Sequence, residues 1–294
     1  MSVSRVTIEL DGAYVGLIGL CAAVFIIPIQ LKGRITNNFW RSTQFFLEAV
    51  LILTLGWITL RLLNHLAMTI AFPRQDWLLI TWDGYLGSPW LSYFDFVYHH
   101  AWLREAMDIS YSSLTRVSTF GLFTLLILGQ YDRAHFFVVA FLYTAIVATI
   151  LGAFFPALAA VYSLVPDISQ YQEFGKVPGI YHIQYLQKLR VPTGEIVIFL
   201  DRMPGLVTFP SFHTAAGIIL IGAFWRTLLF VPVLLYSSLM IASTPVFGGH
   251  YFIDLVAGVI LAIIVMRFSR RSLPRKVPKS SIWGAEISLT KPNP

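Results

Sequence analysis

The chain has 294 residues, 56% hydrophobic and only 12% charged. Soluble domains carry about 25% charged residues, so a soluble globular fold is excluded. The net charge of +6 does not point to nucleic acid as a partner, because the basic residues gather in loops beside apolar blocks, where a bilayer explains them; the single Cys21 excludes an internal disulfide and a cysteine metal site.

The N-terminus carries Arg5 with Glu9 and Asp11, then an apolar block too long for a cleavable leader, and reads as a retained span. A helix needs about 20 mostly apolar residues to cross hydrocarbon. Seven stretches meet or approach that length: 12–30, 46–72, 111–130, 135–164, 212–225, 228–247 and 250–268. The fifth is short, which leaves six spans as the alternative. The expected fold class is therefore all-α, a polytopic membrane bundle of six to seven transmembrane helices.

Two long connections interrupt the spans. Residues 73–110 mix Trp77, Trp82, Trp90 and Trp102 with short apolar runs, the pattern of interfacial helices lying on a bilayer. Residues 165–210 contain Pro166, Pro178, Gly179, Pro192, Gly194, Pro204 and Gly205 and read as a polar loop of functional length. From residue 269 the chain is basic and contains Pro274, Pro278, Pro292 and Pro294, predicting a disordered cytoplasmic tail near anionic headgroups. Residues 1–268 then form one membrane-embedded domain.

With seven spans, the connections on the C-terminal side carry Lys32, Arg34, Arg41, Arg133, Arg226 and the basic tail, against Asp132 and Glu286. The opposite side is acidic, with Asp76, Asp83, Asp95, Glu105 and Asp108. Basic loops stay cytoplasmic, so the N-terminus is expected outside and the C-terminus inside. Short loops make a bacterial inner membrane the expected host.

The chemistry gathers in two stretches, Phe209-Pro210-Ser211-Phe212-His213-Thr214 and Gly248-Gly249-His250-Tyr251-Phe252-Ile253-Asp254. In the first, a Gly/Pro-rich loop ends at a helix mouth, where free amides and the Ser211 hydroxyl form an anion site. In the second, two glycines turn the chain into another helix. His250 and Asp254 are four apart and share a face, so the carboxylate can fix the imidazole tautomer as it does for an activated base or nucleophile. Two helices after His213, the chain returns to the same membrane face, so both histidines stand at one depth on the outside. One can attack phosphorus while the other protonates the leaving oxygen. Two histidines and an aspartate without further ligands make a poor metal site, and neither metal nor cofactor is expected.

These residues resemble the phosphatidic acid phosphatase type 2 superfamily, whose motifs are K-x-x-x-x-x-x-R-P, P-S-G-H and S-R-x-x-x-x-x-H-x-x-x-D. The second stands here as Pro210-Ser211-Phe212-His213, and the third as Ser243-Thr244, five residues, His250, three residues, Asp254. The resemblance implies His250 as nucleophile, Asp254 as its partner and His213 as general acid, with no metal required. Phe212 replaces the usual glycine, and Thr244 replaces a phosphate-binding arginine. This combination is most similar to the inositol phosphorylceramide synthase-like branch and its bacterial relatives. No stretch fits the first motif strictly. Lys188, Arg190 and Arg202 precede the second on the same side and are the candidate phosphate cations, with Ser211 and Thr244 as further substrate contacts. The expected activity is hydrolysis of a membrane lipid phosphate or prenyl pyrophosphate. Transfer of the phospho-headgroup to a lipid or sugar alcohol is the alternative. A transporter or non-catalytic membrane protein would leave both histidine motifs unexplained.

Overall fold

The computed structural model describes residues 5–9, 19, 38–174, 178–190, 195–199 and 203–272. Its helices are α1 (Asn38–Met68), α2 (Asp76–Tyr85), α3 (Trp90–His99), α4 (Ala101–Ser112), α5 (Leu114–Ile127) and α6 (Tyr131–Phe154). They are followed by α7 (Ala160–Leu164), α8 (Ile183–Leu189), α9 (Phe212–Ala223), α10 (Phe230–Phe247) and α11 (Phe252–Ser272). The all-α membrane bundle expected from the sequence is what forms.

Four segments are long and apolar enough to cross a bilayer: Phe45–Met68, Tyr131–Phe154, Phe230–Phe247 and Phe252–Arg270. Their outer faces confirm the solvent they are built for. Ile146, Ile150 and Phe154 on α6, and Val256, Ile260 and Ile264 on α11, follow one another at helical spacing and are all exposed. Such apolar ridges are stable against lipid and not against water. The expected first span, 12–30, lies outside the described residues but for Gly19.

Two expected spans are shorter than the sequence implied. The stretch 111–130 is broken at Ser113, where α4 ends and α5 begins. Ser113 Oγ and Tyr236 Oη both donate to the Ser110 carbonyl, at 3.1 and 3.0 Å, satisfying backbone at the break. Helix α9 has 12 residues, about 18 Å, well under the bilayer's hydrocarbon thickness. It lies inside the bundle, where Ala215, Ala216, Ile219, Leu220 and Ala223 are buried against α6, α10 and α11. Gly258 of α11 lets it approach closely: a Cβ there would stand 2.6 Å from the Ser211 carbonyl oxygen.

A second apolar cluster joins α2, α3 and α4 to residues 157–165 and the α10–α11 turn, through Leu79, Trp90, Phe94, Val161, Val246 and Tyr251. Trp77 and Trp102 stay exposed on its outside, as interfacial tryptophans do. The 165–210 connection is more ordered than a polar loop. It carries α8, whose Ile183, Leu186 and Leu189 pack on the C-terminal part of α1. It also carries β2 (Glu195–Phe199), paired parallel with β1 (Arg5–Glu9) in the register Arg5↔Glu195 to Glu9↔Phe199. The pairing sets the N-terminal strand on the same side as this connection. At the other end α11 runs to Ser272; residues 273–294 of the expected tail lie outside the described residues.

Candidate active site

Ser211 is the N-cap of α9, and its Oγ accepts from the Thr214 amide at 3.3 Å and the Thr214 hydroxyl at 3.1 Å. The cap fixes the first turn and sets His213 at the helix mouth. The Ser211 amide donates to the Asp254 carbonyl at 3.0 Å, tying the start of α9 to the first turn of α11. That link, with the Gly258 crossing, brings the two histidine motifs together.

His250 follows the tight turn at Gly248 and Gly249. Gly249 has φ +67°, and a Cβ on it would collide with the Gly179 carbonyl. A Cβ on Gly179, itself at φ +73°, would lie 2.7 Å from Gly249 Cα. Two strands of backbone touch here, and only glycine fits either side. Three further bonds pin the turn: the Trp90 indole donates to the His250 carbonyl at 2.9 Å, the Ala160 amide to Gly249 at 2.8 Å, and the Gly248 amide to Thr244 at 2.9 Å.

Asp83 of α2 caps α11, accepting from the Phe252 amide at 3.0 Å and the Ile253 amide at 2.7 Å. A carboxylate at a helix N-terminus answers both the orphan amides and the dipole. Burial pushes its pKa up, while the two amide bonds and Ser88 hold it down. Asp76, two turns earlier on the same face of α2, accepts from the Leu158 amide at 2.9 Å and the Tyr251 hydroxyl at 3.0 Å. The sequence showed these aspartates only as outer-face charges; their roles as struts are tertiary.

His250 Nδ1 lies 3.1 Å from Asp254 Oδ2, which also accepts from the Tyr251 amide at 3.1 Å. Asp254 is fully buried and His250 3% exposed. The carboxylate is an acceptor, so Nδ1 carries the proton and Nε2 presents a lone pair. Ser211 Oγ stands 3.4 Å from that Nε2. His213 stacks on Tyr111, with ring centroids 4.1 Å apart and planes inclined by 17°.

Both histidines line one cavity of about 510 Å³. Its polar wall includes Tyr111, Ser112, Tyr181, His182 and Asn64, and its apolar wall Leu53, Trp57, Leu114, Phe141 and Leu142. On α1 the lining runs from Leu53 to Asn64, about 16 Å along the helix axis.

The chain belongs to the PAP2 superfamily. The family's model matches residues 77–268, more than half the chain, and the match contains both histidine motifs and Asp254. Among curated proteins and among solved structures, no match to the chain is found. PAP2 members are phosphatases or phosphotransferases, so this chain is an enzyme of that general kind acting on a phosphate ester.

Thr244 is buried in the last turn of α10, its hydroxyl donating to the Ile241 carbonyl at 2.8 Å, and it does not line the cavity. Lys188 is on the exposed side of α8, away from the lining. Arg190 reaches the Phe72 carbonyl and is likewise outside the lining. Arg202 lies outside the described residues. Three residues to which the sequence assigned no site role do line the cavity: Arg61, Tyr111 and His182. His182 is buried, its Nε2 is 2.6 Å from the Leu158 carbonyl, and burial pushes its pKa down to about 4. Arg61 carried a readable signal, being a charge within an apolar span, where ionisable residues mark function. Among the described residues no group of three or more His, Cys, Asp or Glu side chains could hold a metal ion.

Proposed function

We propose that the protein is a membrane lipid-phosphate phosphatase working through a phosphohistidine at the extracytoplasmic face. The carrying observation is the His250–Asp254 pair at 3.1 Å, opening on the cavity that His213 also lines. His250 Nε2 attacks phosphorus, forming an N–P bond as the P–O bond to the lipid breaks. The developing positive charge on the imidazole is stabilised by Asp254, and His213 gives its proton to the leaving oxygen. Water then gives a proton back to His213 and attacks phosphorus, breaking the N–P bond and releasing phosphate. Every bond change is served by these side chains, so the cycle needs no metal. Ser211 stands beside the attacking nitrogen and contacts the entering phosphoryl group.

The lipid character of the substrate is supported by the cavity, whose polar end holds the histidines while its apolar wall descends along α1 and α6. A phosphate or pyrophosphate head on an acyl or prenyl tail suits that gradient. Transfer is the second reading: the cavity is much larger than a phosphoryl group, and Asn64, Ser112 and Tyr181 on its wall suit a hydroxyl-bearing acceptor. Similarity to the inositol phosphorylceramide synthase-like branch at Thr244 points the same way.

Purified protein is incubated with labelled phosphatidic acid and prenyl pyrophosphates, with and without inositol or diacylglycerol. Release of inorganic phosphate without acceptor supports hydrolysis, and acceptor-dependent labelled product supports transfer. Full activity in both His250→Ala and His213→Ala, or loss of activity to a chelator, would overturn the mechanism.

A further inference from the structure

A phosphoryl group on its way to His250 carries negative charge into a cavity walled by α1, α6 and α9, and something must neutralise it. The third motif of this chain has Thr244 where a cation is expected, and Thr244 faces away from the cavity into α10. Lys188 and Arg190 do not line the cavity either. Among the described lining residues, Arg61 is the only arginine or lysine. It comes from α1, which precedes the region 77–268 matched by the family model.

We propose that Arg61 is the phosphate-binding cation of this site, supplied by α1 in place of the motif arginine. The inference rests on the phosphoryl-transfer reading above. Three observations carry it. The guanidinium is anchored at the cavity wall, bonded to the Met203 carbonyl and lying 4.2 Å over the Trp57 ring. It lines the same cavity as His213, His250 and Tyr111, the last stacked on His213. It is also one turn from Asn64, whose Oδ1 accepts from the Leu206 amide at 3.3 Å and stiffens the same wall. An arginine in an apolar span is costly, and a planar guanidinium meets phosphate oxygens in a bidentate fork that a lysine cannot copy.

The test uses the full-length protein in lipid nanodiscs, with phosphatidic acid as substrate and orthovanadate as the phosphoryl mimic. Arg61→Gln is expected to raise the vanadate concentration for half-inhibition and the KM by about 10- to 100-fold, the size of a lost charge-assisted bond. Arg61→Lys should fall between, keeping the charge and losing the fork. Arg104→Gln, which removes a guanidinium paired with Glu173, bonded to the Tyr98 carbonyl and outside the cavity lining, should stay within about twofold. In wild-type protein, vanadate should protect Arg61 from phenylglyoxal, a readout that needs no variant to fold. Wild-type vanadate sensitivity and KM in both Arg61 variants, or no protection by vanadate, overturns the assignment while leaving the mechanism standing if His250→Ala is inactive. A wild-type protein that neither turns over phosphate esters nor binds vanadate overturns both.

Discussion

In the proposed mechanism His250 attacks through Nε2 only while its proton stays on Nδ1, and the buried Asp254 carboxylate 3.1 Å away is what would hold it there. Asp254→Asn should keep the packing but disturb the tautomer, lowering kcat by about 100-fold or more with little change in KM in steady-state lipid hydrolysis. His213→Ala removes the proton donor and should cost about 10²- to 10⁴-fold for an alkyl leaving group. The deficit should shrink for a phenolic phosphate such as p-nitrophenyl phosphate, whose leaving group needs no proton; an equal loss on both substrates would contradict the acid role. The histidines and Asp254 were legible because each stands at a turn-to-helix junction with a Ser or Gly-Gly signature. Arg61 was legible only as a charge within an apolar span, and Tyr111 and His182 were not legible, because they join the cavity from α4 and the 178–182 segment, far away in sequence.

At the scale of elements, the site is held by backbone contacts between segments that hydropathy does not connect. Asp83 of α2 serves two amides of α11 at 3.0 and 2.7 Å. Asp83→Ala leaves both without this acceptor and should destabilise the protein by about 2 kcal/mol or more, seen as a lower melting temperature in detergent; Asp83→Asn should recover part of it. Gly249→Ala should be worse, since its φ of +67° and the adjoining Gly179 both forbid a side chain. Four of the seven expected spans, 46–72, 135–164, 228–247 and 250–268, were legible in the sequence, since length and hydropathy alone decide whether a segment can sit in lipid. Neither the break at Ser113 nor the β1–β2 pairing was. The break depends on Tyr236 from another helix, and the parallel pairing joins residues about 190 positions apart.

At the scale of the whole molecule, one polar-to-apolar cavity, one family and one face must agree. Gln170 is exposed on the connection between α7 and α8. A Gln170→Cys variant, in a Cys21→Ser background, should react with an impermeant maleimide in intact cells; labelling only after lysis would reverse the orientation. Acid should loosen the fold through His182. Its pKa is about 4 in the fold against 6.5 for a free imidazole, so the unfolded chain takes up the proton first. Stability from this group is fully present above pH 6.5 and is lost as pH falls toward 4. The melting temperature should drop across that window, and His182→Asn should flatten the drop.

The central claim is a covalent phosphohistidine at residue 250. Protein mixed with lipid phosphate carrying a ³²P label, quenched within milliseconds and digested under alkaline conditions, reads it directly. The mechanism predicts an acid-labile, alkali-stable label on the peptide containing His250, absent from His250→Ala. Steady turnover with no label on that peptide, or a label on any other residue, would contradict it.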